Sequence, residues 1–216
     1  MTFVYRPPDV PLEVFYQDEN LILVNKPSGL LSVPGRASEH KDCLQSRLED
    51  KFGTALVVHR LDMDTSGVMV FAVDKDAQRD LSKQFESKTV FKNYHCIVND
   101  IVEEEEGEVN LPLRCDWPNR PLQMVDHEHG KPAQTRWKVL ERGEGQTRLL
   151  LIPITGRSHQ LRVHCLSMGH PIVGDRFYAP PAVIALSDRL CLHAAKLEIN
   201  HPVTGERLSI DAPCDF

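Results

Sequence analysis

No apolar stretch in the sequence approaches 18 uninterrupted residues, and Met1 to Pro11 holds neither a basic segment nor an apolar one. A membrane span and a secretory leader are therefore not expected, and the chain is expected in the cytoplasm without a membrane partner. No C-x-x-C pair occurs. The six cysteines, Cys43, Cys96, Cys115, Cys165, Cys191 and Cys214, are scattered through apolar stretches and read as reduced core thiols. The G-x-x-x-x-G-K signature of a phosphate loop, the G-x-G-x-x-G dinucleotide fingerprint and the G-x-S-x-G nucleophile elbow are all missing. H-E-x-x-H is missing too, and His159 and His164, five apart, do not have that spacing. No cofactor and no metal are expected. Internal repeats and Gly/Ser linkers are also lacking, so a detached accessory domain is not expected.

What is present is an ordinary globular composition: 216 residues, 41% hydrophobic and 26% charged, enough for one substantial core. Taken alone, the net charge of −6 argues against a polyanionic partner. Yet five acids, Glu103 to Glu106 and Glu108, stand in one run, which reads as a solvated loop tip; without those five the balance is −1. By contrast, Thr155 to Tyr178 carries Arg157, Arg162 and Arg176 with His159, His164 and His170 against Asp175 alone. The protein is acidic overall and locally basic.

Short apolar runs at Leu21–Val24 and Val68–Val73 and the alternation of Phe91–Val98 predict strands. Further strands are expected at Glu108–Leu113, Ala133–Arg142, Thr147–Pro153, Cys191–Ile199 and Arg207–Ile210, with Arg142-Gly143-Glu144-Gly145 as a hairpin turn. Helices are expected at Asp42–Phe52 and at Lys75–Lys88, where Ala77, Leu81 and Phe85 share a face. A third is expected at Ser158–Met168, with Ser158 as N-cap and Gly169 as the C′ residue. Strands outnumber helices and several connections are too short for crossovers, so an α+β fold with a largely antiparallel sheet is expected.

Polar clusters interrupt this pattern at Asn25–Gly35, His59–Gly67, Lys92–Tyr94 and Ile154–His164, the last continuing into Gly174–Tyr178. Polar loops between buried strands are the usual place for chemistry. On an extended loop Asp62 and Asp64 would share a face and suit acid–base work on a glycosidic bond, while Asp-Thr-Ser-Gly also reads as a turn held by side-chain-to-backbone bonds. The glycine-containing turn before the Ser158 helix suits a phosphate. These residues alone leave the reaction open, with a glycosidase or base-exchange transferase using Asp62 and Asp64, or a non-catalytic RNA-binding module, as candidates.

His59-Arg60-Leu61-Asp62 with Thr65-Ser66-Gly67 resembles the H-R-L-D-x-x-T-S-G signature of the RluA-type pseudouridine synthases. Asn25–Gly29, Lys92-Asn93-Tyr94, Gly156–His164 and Gly174–Tyr178 resemble the family's other motifs, in its order. The resemblance spans nearly the whole chain. It implies a pseudouridine synthase fold with a largely antiparallel mixed sheet in two subdomains and a catalytic cleft between them. It also implies a single catalytic domain over residues 1–216, without the S4-like N-terminal domain of many relatives, acting as a monomer. Ser32–Arg36, Cys115–Pro121 and Arg176–Ala179 resemble members acting on a large-subunit ribosomal RNA hairpin and on the anticodon stem-loop of tRNAs, which are the implied substrates.

The resemblance makes Asp62 the carboxylate that attacks C1′ of the target uridine or stabilises positive charge there. Arg162 is implied as the ion-pairing arginine that keeps this carboxyl charged. Tyr94 is implied to stack on the base and relay a proton. Because a base within a stem-loop must be flipped out to react, Arg60 is implied to fill the gap it leaves. Arg157, Arg176, Lys26 and Arg36 are expected on the RNA backbone from charge and placement, and His159 joins them as an RNA contact. Asp64 occupies a variable place in the signature and is expected to face away and be dispensable.

Overall fold

The computed structural model describes residues 4–216. In chain order the elements are β1 (Glu13–Gln17), β2 (Leu21–Lys26), α1 (Leu44–Phe52), β3 (Leu56–Val57), β4 (Ser66–Ala72), α2 (Lys75–Glu86) and β5 (Phe91–Asn99). They continue with β6 (Glu106–Asn110), β7 (Leu113–Cys115), β8 (Gln123–Val125), β9 (Gln134–Gly143), β10 (Gln146–Pro153), α3 (Gln160–Ser167), α4 (Pro181–Ile184), β11 (Leu192–Asn200) and β12 (Arg207–Asp211). The chain forms two compact units, Met1–Lys92 with Ala194–Cys214, and Asn93–His193 with Asp215–Phe216.

In the first unit β4 lies between β2 and β11, β1 flanks β2, β3 pairs with β4 and β12 with β11. The pairs β1–β2, β2–β4, β3–β4 and β11–β12 are antiparallel. Every residue of β4 is buried, as its apolar run requires, and α2 presents buried Ala77 and Leu81 inward. Asp74 caps α2 by accepting the N–H groups of Asp76 and Ala77. Gly67 has φ +113, and a Cβ there would strike the carbonyl oxygen of Ala194, so only glycine lets the two backbones approach so closely.

In the second unit the strand order is β5-β10-β9-β6, with β5–β10, β9–β10 and β6–β9 antiparallel, and a separate hairpin pairs β7 with β8. Thr147, Leu149, Leu151 and Pro153 alternate inward along β10 to meet Cys96, Val98, Trp137 and Val139 in the core. The turn between β9 and β10 has positive φ at Glu144 and Gly145, the backbone that a two-residue hairpin needs.

Three local expectations are corrected. Ser158 does not cap α3; His159 does so by position, in a left-handed conformation (φ 52°) and without a side-chain cap bond, while Gly169 follows the helix at φ +85° as expected. The first turn of α3, Gln160 to Arg162, is buried, so this helix start is not the open phosphate cradle its sequence suggests. The acidic run is only partly a loop, because Glu106 and Glu108 enter β6 opposite Lys138 and Arg136 of β9. Arg136 pairs with Glu108 and Arg142 with Glu105, so cross-strand bases make this strand tolerable. Strands β1, β3, β7 and β8 and helix α4 carry too little periodicity to be foreseen. Among the described residues no helix is long and apolar enough to cross a membrane.

Candidate active site

In the first unit, Asn25–Ser32 and the loop before β4 interlock. Four successive carbonyls of that loop are taken. Ser32 Oγ donates to Leu61 O (2.7 Å), the Thr65 N–H to Asp62 O (3.2 Å), Lys26 Nζ and the Gly29 N–H to Met63 O (2.8 and 2.9 Å), and Ser28 Oγ to Asp64 O (2.7 Å). The backbone carrying Asp62 is thereby fixed on both sides of its Cα, and the residue is half-buried. The loop closes in a turn through a backbone bond from Thr65 to Asp62, and the side chains of Lys26, Ser28 and Ser32 bond its carbonyls from the neighbouring segment.

Lys26 is a correction. It is fully buried, and its ammonium donates to the carbonyls of Pro27, Leu30 and Met63 at 2.7–2.9 Å. Those three bonds use its three protons, so it anchors the loop and does not reach a phosphate. Arg36 and Arg60 are exposed. His59 stacks on Phe85 (4.5 Å between centroids) and its Nε2 accepts the Val70 N–H (3.1 Å). Burial, aided by the charge of Lys92, pushes this imidazole down to about 3, so it is a neutral structural group.

In the second unit, Tyr94 lies on β5 opposite Leu151 of β10, half-buried against the core. Arg162, 2% exposed, is held in a bidentate pair by buried Asp175, Nε to Oδ2 at 2.8 Å and Nη2 to Oδ1 at 2.5 Å. Asp175 Oδ1 also accepts the N–H groups of Phe177 and Tyr178, whose rings lie 4.9 and 5.1 Å from the guanidinium carbon. Tyr178 Oη accepts the Gln123 N–H (2.9 Å) and shares a hydrogen bond with His159 Nδ1 at 2.6 Å. Arg157 and Arg176 are exposed, with Arg157 Nε bonded to Pro132 O and Arg176 Nη2 to Asp188 O.

The expected residues thus fall into two groups, Lys26, Arg36, Arg60 and Asp62 in the first unit, and Tyr94, Arg157, His159, Arg162 and Arg176 in the second. Ser28 and Ser32, which hold the Asp62 loop, and Asp175, which grips Arg162, were not singled out from sequence. The signal for them was membership of the family-like segments Asn25–Gly29, Ser32–Arg36 and Gly174–Tyr178. His164 is likewise an internal group, between Thr135 Oγ1 and Leu111 O, with burial lowering its pKa.

Comparison with known proteins gives this arrangement a context. The chain is 52% identical over 214 residues to the dual-specificity RNA pseudouridine synthase RluA of Pasteurella multocida, covering 98% of both chains. It is 53% identical over 214 residues to the protein of the same name from Escherichia coli K12, again over 98% of both. The solved structure of human RNA pseudouridylate synthase domain containing 1 superposes with a TM-score of 0.80 at 29% identity, over 96% of this chain and 86% of that one. The sequence profile of the RNA pseudouridylate synthases matches residues 20–167, a span that holds the locked Asp62 loop, Tyr94 and Arg162. The chain therefore belongs to the RNA pseudouridylate synthase family, enzymes that isomerise uridine to pseudouridine in RNA.

Proposed function

We propose that this chain isomerises uridines in two kinds of RNA, a large-subunit ribosomal RNA hairpin and the anticodon stem-loop of tRNAs, with Asp62 as its central catalytic group. The observation that carries the reading is the near-full-length identity to relatives named as dual-specificity RNA pseudouridine synthases. It is supported by a loop whose four carbonyls are all engaged around Asp62.

The reaction breaks the N1–C1′ bond, turns the uracil while it stays bound, and joins C5 to C1′; C5 loses a proton and N1 ends protonated, with no net redox change. Asp62 engages C1′ as the glycosidic bond breaks, either as nucleophile or by stabilising the positive charge that develops. A rigid loop backbone suits that role because little reorganisation is needed at the moment of reaction. Tyr94 offers a ring to the base and a hydroxyl to the proton transfer. Arg162, oriented by its bidentate pair with Asp175, supplies the positive charge of the catalytic group. Flipping the nucleotide costs a few kcal/mol, offset by Arg60, an exposed and planar cation able to stack in the vacated space. Exposed Arg36, Arg157 and Arg176 track the backbone with His159 beside them, and the protein works as a cytoplasmic monomer of one catalytic domain.

The test incubates purified protein with unmodified tRNA and ribosomal RNA and maps pseudouridine by carbodiimide-blocked reverse transcription. New stops are expected in one anticodon stem-loop and one ribosomal hairpin, and none with Asp62→Asn. Stops in one RNA class only end the dual assignment; release of free uracil points to a glycosidase; turnover by Asp62→Asn removes the proposed catalytic group.

A further inference from the structure

Trp117 is 64% exposed, although its ring lies under the guanidinium of Arg120, whose carbon is 3.2 Å from the ring centroid. A large exposed aromatic is costly to hydrate, and one face of this ring is already covered. Its exposure therefore comes from the opposite face and the edges. We propose that Trp117 and Arg120 form a stacking platform for one unpaired nucleobase of the RNA, outside the nucleotide that reacts, with the base on the open face of the indole and the guanidinium on the other.

The platform is built before any ligand arrives. It tops the hairpin between β7 and β8, where the Asp116 N–H bonds to Leu122 O, the Asn119 N–H to Asp116 O and the Leu122 N–H to Asn119 O, all within 3.0 Å. Asn119 Nδ2 also donates to Asp116 Oδ2 at 2.9 Å. The root of the hairpin is seated on α3, since Leu113 and Val125 pack with Val163 and Tyr178. Tyr178 further holds Gln123 by its hydroxyl while its ring faces Arg162. The platform is thus fixed relative to the helix that carries Arg162. A flat π face backed by a cation suits a base of any identity, because every base has a π face and the cation deepens the interaction. An unpaired base is required, because bases within an A-form stem present only their edges.

This inference rests on the RNA reading above but not on the chemistry assigned to Asp62, and the experiment keeps them apart. Unmodified anticodon stem-loop RNA is titrated into wild-type protein, Trp117→Ala, Trp117→Phe and Arg120→Ala, following tryptophan emission and affinity. The chain has two tryptophans, and Trp137 is buried, so quenching that disappears in Trp117→Phe reports the platform. Wild-type emission is expected to fall on binding. Affinity is expected to drop about tenfold in Trp117→Ala, less in Arg120→Ala, and to be largely kept in Trp117→Phe, in line with the usual value of base–aromatic stacking. Single-turnover rates at saturating RNA should be unchanged. One abasic substitution in the loop should abolish the quench, whereas the others leave it. Should Trp117→Ala lose stability, the Trp117→Phe and abasic arms decide alone. Equal affinity for Trp117→Ala, quenching that persists in Trp117→Phe, or indifference to every abasic position overturns the platform. Stacking without any isomerisation would leave the platform standing and remove the catalytic reading.

Discussion

Arg162 and Asp175 form a bidentate ion pair inside the second unit, each about 2% exposed or less, with Asp175 also accepting two backbone N–H groups from Phe177 and Tyr178. An ion pair so placed is stable only while both partners are charged and fully bonded. Asp175→Asn should cost about 3 kcal/mol in urea unfolding, because it strands a buried guanidinium. The apolar double variant Arg162→Met/Asp175→Leu should regain most of that stability and none of the isomerase activity. Recovery of both would reduce Arg162 to a packing element.

Lys26 offers the opposite test, a cation expected on RNA and found inside. Lys26→Met leaves the carbonyls of Pro27 and Leu30 without their lysine donor and Met63 O with the Gly29 N–H alone, so a loss of about 2–4 kcal/mol is expected in denaturant melts. The salt dependence of RNA affinity should not change. A phosphate contact would instead lower the slope of log K against log salt by roughly 0.7–0.9.

The pH dependence of stability should carry a signature from His59. Its folded value is pushed down to about 3 by burial and then by Lys92, below the ordinary 6.5. The unfolded chain therefore binds the extra proton between those values, and the stabilisation from neutral His59 is complete above pH 6.5 and lost as pH falls toward 3. The penalty of His59→Gln should accordingly shrink by about 1.4 kcal/mol per pH unit between pH 6 and 4. Urea titrations at several pH values check this, and a penalty independent of pH would contradict it.

Tyr94→Phe separates stacking from proton transfer. The ring stays, so RNA affinity should be unchanged, while single-turnover isomerisation should slow by about 10²–10⁴, the usual worth of a positioned acid or base. A matching loss in affinity would instead make the hydroxyl a binding group.

Periodicity made most regular elements legible: α2 through Ala77 and Leu81, β10 through its inward Thr147, Leu149 and Leu151, and the β9–β10 turn through Glu144-Gly145. Chemical identity was readable in His59–Gly67, because a motif fixes order and residue type together. What the chain could not reveal was which polar side chains face inward. Lys26 and Arg162 are both cations in motifs, yet the first spends its protons on neighbouring carbonyls and the second on a carboxylate thirteen residues away. Those partners depend on where the backbone returns, which no local pattern encodes. The N-cap of α3 was missed for a related reason, since a left-handed His159 has no compositional signature.

The glutamates of β6 lie on the outermost strand of the second unit's sheet. An open strand edge invites a further strand from another molecule, and carboxylates at that rim discourage the addition. The same charge repels a nucleic acid backbone. An acidic border of this kind guards the sheet against fibre growth.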